Sequence, residues 1–187
     1  MNSTPSPATH DATAPFDPDY FGEQSEQALD ALINRLETQA LTLRLGGFDQ
    51  SDALALGLLL VDLATTRALP VAIDIRREQH ILFHASLPGA TPDNDIWIER
   101  KSRTAQRYLE PSLLVGLKGR RGGRRLEDNG WFDERLYASH GGAVPIHVDG
   151  TGVVAIATVS GLPQQDDHEL VVEALQTFLT QDRSKNS

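Results

Sequence analysis

The sequence predicts an α/β (α+β) fold in which a five-stranded antiparallel sheet carries helices on its faces. Three observations predict it. Stretches with helical and with strand periodicity follow one another, most neighbouring strands are separated only by short turns, and 187 residues make about one domain. Strands joined by short turns pair antiparallel, and helices that pack on the sheet bury the apolar surface of both.

The two ends of the chain are predicted to lie outside this domain. Residues 1–19 are rich in Pro, Ser, Thr and Ala and have no apolar core, so we expect a disordered tail and no targeting signal. Residues 20–180 are expected to form a single domain, followed by a disordered C-terminus over residues 181–187. The longest apolar run, from Ala53 to Val61, is too short to span a bilayer, so no membrane partner is expected.

The first part of the domain is predicted to be helix, strand and helix. Apolar residues at helical spacing predict a helix over residues 25–37, and alternating leucines predict a strand over residues 40–45. Ser51 or Asp52 is expected to cap a second helix that reaches about Arg67. The second apolar run is also compatible with a strand, but its length and its few β-branched residues favour a helix.

A β-hairpin is predicted after the second helix. Residues 71–76 alternate apolar and polar side chains, which places Asp74 and Arg76 on the outward face, and residues 81–86 follow as the partner strand. The alternation indicates one buried and one wet face.

A third helix and a loop are expected next. Asp93 or Asn94 can cap the helix, which should end before Pro111 because the residue before a proline disfavours helical geometry. Residues 118–129 are rich in Gly and Arg and poor in apolar side chains, so they predict a loop. Contact with RNA or with an acidic partner is one interpretation, but a flexible solvated loop is favoured because no aromatic residue is interleaved for base stacking.

The last third of the chain contains the two clearest strands. Residues 143–148 and 153–159 are short, almost wholly apolar runs, which predict two adjacent buried strands. The second strand feeds a final helix over residues 166–180 through a junction that begins at Ser160. Such a junction brings a loop, a helix N-terminus and polar side chains to one sheet edge, where ligand sites are often built.

Two short motifs near this edge each allow two interpretations. Gly141 and Gly142 could let a ligand approach the backbone, or form a tight turn where a side chain would clash, and the turn is favoured. Asp166 and Asp167 suit the start of the last helix as capping residues. His168 is expected to stay neutral at pH 7, because a positive charge is disfavoured at a helix N-terminus, and a metal site is the less favoured alternative.

The third helix is predicted to carry a basic face. Arg100, Arg103 and Arg107 recur at helical spacing, with Lys101 and Trp97 on the neighbouring stripe. One interpretation is a solvated basic face over an aromatic that packs into the core. The other is a carboxylate-binding edge, because guanidinium groups pair bidentately with carboxylates and an indole can stack on a planar ligand.

Composition excludes several classes of protein. A formal net charge of -9 argues against non-specific nucleic-acid binding, because a phosphate backbone needs a basic surface. The absence of cysteine excludes a disulfide scaffold, a zinc-thiolate site, an iron–sulfur cluster and a covalently attached c-type haem. It also fits the cytoplasmic location that we expect.

The glycine and aspartate motifs carry a family resemblance. The pattern consists of Gly141-Gly142-x-x-Pro145-Ile146, Gly152-Val153, Val159-Ser160-Gly161 and Asp166-Asp167-His168. It resembles the haem-degrading domain family, which includes the GlcG-like and HbpS-like proteins. Residues 93–101, with Trp97-x-x-Arg100-Lys101, extend the resemblance to a longer, uncharacterised branch. The resemblance covers about residues 39–179 and implies a profilin-like sandwich that forms homo-oligomers.

The resemblance makes haem the implied cofactor, and haem iron needs an axial ligand. The side chains that could serve are His84, His140, His147, His168 and Tyr137. Spacing selects none of them, although His140 is the freest to approach a ligand because it precedes two glycines.

The resemblance therefore implies a soluble, oligomeric haem-binding protein, with haem processing as an extension of that function. The alternative is a non-catalytic oligomeric scaffold, or a module of the same fold that binds a small carboxylate. In either case we expect a small anionic or planar ligand; catalytic residues and enzymatic activity stay open, and no metal site is predicted. The candidate ligand-binding residues are Trp97, Arg100, Lys101, Arg107, His140, Gly141, Gly142, Ser160 and His168.

Overall fold

A computed structural model describes residues 26–123 and 126–185 of the chain. The predicted tail, residues 1–19, and the predicted helix start at Ser25 lie outside the described residues. The elements are α1 (Glu26–Thr42), β1 (Arg44–Leu45), α2 (Gln50–Thr66), β2 (Ala72–Arg77), β3 (His80–Ser86), α3 (Pro92–Tyr108), α4 (Ser112–Arg121), β4 (Ala143–Val148), β5 (Gly152–Ser160) and α5 (Gln164–Lys185).

The five strands form one sheet in the order β1-β4-β5-β2-β3. The predicted β2–β3 hairpin and the adjacent β4–β5 pair are confirmed, and both are antiparallel. The prediction of a purely antiparallel sheet is wrong at one edge, because β1 pairs with β4 in parallel. A short turn indicates antiparallel pairing only for two strands that follow one another along the chain. The strands β1 and β4 are separated by most of the domain, so their direction could not be inferred in this way.

Helices cover both faces of the sheet. On one face, α2 and α5 enclose the main core together with apolar side chains of the strands. On the other face, α3 packs across β2, β4 and β5, where Ala105 meets Ala143 and Ile156. This second cover explains why Asp74, predicted to face outward on β2, is fully buried. The α/β sandwich predicted from the order of elements is confirmed.

The predicted strand over residues 40–45 is mostly wrong. The helix α1 continues to Thr42, and only Arg44 and Leu45 remain extended. Their partners on β4 are His147 and Val148. Alternating leucines are compatible with a short strand. A strand extends, however, only as far as a neighbouring strand provides hydrogen-bond partners for its backbone.

The predicted loop over residues 118–129 is wrong in its first part, because α4 runs through to Arg121. Leu114 and Leu117 pack against Leu36 of α1, and this burial compensates for glycines that weaken a helix. Gly116 is required at this crossing, since a Cβ there would strike the carbonyl oxygen of Ser139.

Besides the end of α1, three helix boundaries differ from the prediction. The caps of α2 and α3 are Asp49 and Thr91, so both helices start before the predicted caps. Asp52 and Asn94 are instead the third residues of their helices, and each side chain accepts a hydrogen bond from the backbone N–H of the cap. At the other end of the domain, α5 extends past residue 180 to Lys185.

Candidate functional site

One flank of α3 gathers an indole, a guanidinium and an imidazole. The guanidinium carbon of Arg100 lies 4.3 Å from the ring centroid of Trp97. The ring of His140 meets the same indole edge-on, with 4.9 Å between ring centroids. The indole N–H of Trp97 donates to Asp93 at 3.0 Å, which orients the ring. We call Trp97, Arg100 and His140 the Trp97 site.

The segment before β4 brings His140 to this site. The backbone N–H of Ala138 donates to the carbonyl oxygen of Arg100 at 3.3 Å and to the hydroxyl of Thr104 at 3.2 Å. These bonds tie the segment to α3 at the level of Arg100. Trp97 and Arg100 are one helical turn apart, so α3 supplies two of the three groups.

Arg100 is partly withdrawn from water. Its Nε is buried and has no hydrogen-bond partner among the described residues. Burial lowers the pKa of Arg100, while the charges of Glu134 and Asp93 oppose that change. None of the ion pairs between described residues includes Arg100. A half-buried cation in this state favours an anionic ligand.

The predicted basic face is divided between two environments. Arg103 forms an ion pair with Glu99 at 2.9 Å. Arg107 instead stacks on the ring of Trp131 at 3.9 Å from its centroid and lies 5.9 Å from the ring of Tyr137. Trp131 is 41% exposed, so this stacked pair is partly open to solvent.

Trp131 was not singled out by the sequence patterns. It follows the Gly- and Arg-rich segment and belongs to no periodic run. In the fold, however, its ring also contacts Phe132 and Tyr137, with centroids 5.7 and 5.8 Å away. An isolated Trp beside a loop was the one signal that could have marked it.

Lys101 points into the protein and away from any surface ligand. It is 2% exposed, and its Nζ donates to the carbonyl oxygens of Gly141 and Val159 and to Asp167, each at 2.9 Å. The other carboxylate oxygen of Asp167 accepts from the backbone N–H of Leu162 at 3.0 Å. Burial raises the pKa of Asp167, and the ammonium of Lys101 opposes that increase.

Close packing accounts for both glycines of the turn. A Cβ on Gly141 would strike the carbonyl oxygen of Gln164. Gly142 has φ +125°, and a Cβ there would strike the carbonyl oxygen of Val159 and lie 2.7 Å from Nζ of Lys101. These contacts support the tight turn over a ligand-facing loop.

Ser160 and His168 lie apart from the Trp97 site. Ser160 is buried at the end of β5, opposite Ala72. His168 is 1% exposed on α5, and its Nε2 lies 3.3 Å from the side-chain oxygen of Gln39 on α1. Burial lowers the pKa of His168 to about 4, and the charge of Arg35 adds to the effect. The neutral state predicted from the helix dipole therefore has burial as its main cause.

The other candidate axial ligands have different surroundings. His84 lies 3.4 Å from both Asp74 and Asp95, with one ring nitrogen toward each carboxylate. His147 is half-buried, and burial followed by the charge of Arg44 lowers its pKa. Within the described ranges, no cluster of three or more His, Asp or Glu side chains could hold a metal ion.

Comparison with known proteins places the chain in a family. Residues 48–176 match the family model described as haem degrading protein HbpS-like. The chain belongs to this HbpS-like family. A UPF0303 protein of Streptomyces avermitilis is 53% identical over 156 residues, which are 83% of this chain and 96% of the relative. A UPF0303 protein of Rhizobium etli is 48% identical over 154 residues, which are 82% of this chain and 93% of the relative.

Solved structures share the fold of this HbpS-like chain. The crystal structure of the Ybr137w protein is 33% identical with a TM-score of 0.74, over 84% of this chain and 96% of that one. HbpS is 21% identical with a TM-score of 0.57, over 73% and 92% of the two chains. A PduOC:heme complex is 16% identical with a TM-score of 0.58, over 70% and 94%. The similarity of this chain to HbpS and to PduOC shows a shared fold alone.

No helix within residues 26–123 and 126–185 is both long and apolar enough to cross a membrane.

Proposed function

We propose that this HbpS-like protein binds a planar, carboxylate-bearing ligand of the haem class at the Trp97 site. The observation that carries the proposal is Arg100, a half-buried guanidinium whose Nε has no hydrogen-bond partner among the described residues. It lies against the indole of Trp97, so an anionic group and a flat ring would be recognised side by side.

The residues present fit the chemistry of haem. Haem offers a flat apolar ring, two propionates and an iron that takes an axial ligand. Trp97 can contact the ring, Arg100 can pair with a propionate, and His140 can reach the iron. Arg107 lies two helical turns further along α3 and could meet a second carboxylate. The family match and the PduOC:heme complex support this class of ligand.

Other parts of the protein fit haem less well. His168 is buried beneath α1 and stays neutral, and His84 is held between two carboxylates. A cleft beside β1, β4 and α5 has room for about one water molecule, far too little for a planar macrocycle. Haem would therefore bind at the open flank of α3. When bound, the group would supply a redox-active iron, and the chain's own residues would hold and orient it.

Self-association is part of the proposal. Leu54 and Leu58 expose about half of their surface on α2, and Ile81 does so on the edge strand β3. Exposed apolar side chains and an open strand edge support contact with another copy. Size-exclusion chromatography with light scattering tests this part, and a strict monomer over the micromolar range would contradict it.

The test of the ligand is a hemin titration followed in the Soret region. We expect a saturable band at one stoichiometry, and Arg100→Gln should weaken binding by roughly 10- to 100-fold, the loss of one charge-assisted hydrogen bond. Arg103→Gln is the matched control, because Arg103 lies on the same helix but is exposed and paired with Glu99. It should bind like the unmodified protein.

Two outcomes would reject the haem ligand. One is the absence of any saturable band, and the other is equal binding by the Arg100→Gln and Arg103→Gln variants. A thermal shift with a small dicarboxylate, but none with hemin, would favour the small-carboxylate alternative, which the cation of Arg100 also suits.

A further inference from the structure

Resting on the function proposed above for the ligand, we propose that the buried pair Lys101–Asp167 is a positioning device for the Trp97 site. The pair sets where His140 stands relative to Trp97 without touching the ligand itself. It joins three elements that the site depends on: α3, the turn before β4, and the start of α5.

The position of Lys101 makes this connection direct. Lys101 lies one turn after Trp97 on α3, and its Nζ binds the carbonyl oxygen of Gly141 at 2.9 Å. That carbonyl belongs to the residue directly after His140. The absence of a side chain on Gly142 leaves room for the ammonium, since a Cβ there would lie 2.7 Å from Nζ.

The partners of Asp167 extend the connection to α5. Its two carboxylate oxygens bind Lys101 and the N–H of Leu162, which holds the junction between β5 and α5. The same junction reaches the turn a second time, because the side chain of Gln164 accepts from the N–H of Gly141 at 3.2 Å. The turn that carries His140 is therefore held from α3 and from α5 at once.

The chemistry of the Lys101–Asp167 pair supports a positioning role in addition to any contribution to stability. Both side chains are almost fully buried, at 3% side-chain exposure each. Moving two charges out of water opposes folding. A buried ion pair therefore often stabilises the folded state no more than apolar residues of similar volume would. A pair whose ammonium also binds two backbone carbonyls instead specifies one arrangement of these elements.

The test uses Trp97 as a reporter of its contact with His140. The chain contains two tryptophans, so Trp131→Phe leaves Trp97 as the single indole. In that background, His140→Ala defines how the emission of Trp97 changes when the imidazole is lost. Lys101→Met with Asp167→Asn removes both charges, and the Asn side chain can still accept from the N–H of Leu162.

We expect the double variant to stay folded by circular dichroism and to shift the Trp97 emission toward the His140→Ala value. Hemin affinity should fall by about tenfold, because His140 would no longer be held in place beside Trp97. Lys118→Met with Glu110→Gln is the matched control. This ion pair joins Lys118 on α4 to Glu110 just before that helix. It has a similar length of 2.8 Å but is partly exposed, and its loss should leave the Trp97 emission unchanged.

Unchanged Trp97 emission in a folded double variant would overturn the positioning role. A double variant that does not fold would overturn it as well, because the pair would then serve the fold itself. An emission shift in the Trp131→Phe background, together with no hemin binding by the unmodified protein, would reject the haem ligand and leave the positioning role standing.

Discussion

His168 shows how burial sets the chemistry of a single side chain. The residue is 1% exposed between α5 and α1, and burial lowers its pKa to about 4. In the unfolded chain a histidine titrates near 6.5, so the unfolded state binds more protons between these values. Protonation below pH 6.5 therefore favours unfolding, and this effect levels off once the pH has fallen through about 4.

We accordingly expect the free energy of unfolding to decrease by roughly 3 kcal/mol between pH 7 and pH 4 through His168 alone. Urea unfolding at a series of pH values measures it. His168→Gln should remove this contribution, since Gln does not titrate and can still bond Gln39. His80→Gln, at the exposed start of β3, is the control and should keep it. Parallel stability curves for the unmodified protein and His168→Gln would contradict the prediction.

The candidate site was partly predictable residue by residue. The spacing of Trp97 and Arg100 places both on neighbouring stripes of one helix, which is a local property. The inward direction of Lys101 was not predictable, because it depends on carbonyls of Gly141 and Val159 that are distant in sequence. The stacking of Arg107 on Trp131 likewise needs two segments that only the fold brings together.

At the scale of elements, helix α2 depends on a cap that lies just before it. The side chain of Asp49 accepts from the N–H groups of Ser51 and Asp52, at 2.7 and 3.1 Å. Asp52 accepts in return from the N–H of Asp49 at 2.9 Å, which completes a capping box. This arrangement satisfies N–H groups that have no partner inside the helix.

Asp49→Ala should therefore lower the free energy of unfolding by about 1 kcal/mol, as measured by urea denaturation. Asp49→Asn should change it much less, because Asn is an equally good cap. Asp62→Ala, an exposed position in the same helix, controls for the loss of a carboxylate. An equal effect of Asp49→Ala and Asp62→Ala would show that the cap does not stabilise α2.

Elements whose own sequence shows a clear periodic or apolar pattern along their whole length were predicted well. The strands β2, β3, β4 and β5 alternate or are wholly apolar over six or more residues, and their predicted bounds agree with the structure to within about two residues. The helix α4 was missed entirely, since the predicted third helix ends before Pro111 and Gly119 with three basic residues hides a helix whose leucines face α1. Its stability comes from that tertiary contact, which a single segment does not show.

At the scale of the whole molecule, the central strand β5 joins the two layers. It pairs with β4 and β2, and it is covered by α3 on one face and by α5 on the other. Lys101 and Asp167 connect those same helices past the end of β5. Neither layer can separate without exposing this core, so we predict one cooperative unfolding transition.

Far-UV circular dichroism and tryptophan emission should thus give the same urea midpoint. The first signal follows all helices, whereas the second follows Trp97 and Trp131 on the α3 side of the sheet. The Lys101→Met, Asp167→Asn variant should unfold at a different midpoint but still in one step. Two separate midpoints in the unmodified protein would contradict a single domain over residues 20–180.

The sequence by itself determined the class of fold, most of the elements and the helix that carries the Trp97 site. These properties follow from periodicity and composition, which act within one segment. Tertiary structure alone decided that β1 joins the sheet in parallel, that Lys101 and Asp74 are buried, and that His140 meets Trp97. Each of these depends on hydrogen bonds or packing between segments far apart in the chain, and pairing of that kind leaves no local pattern.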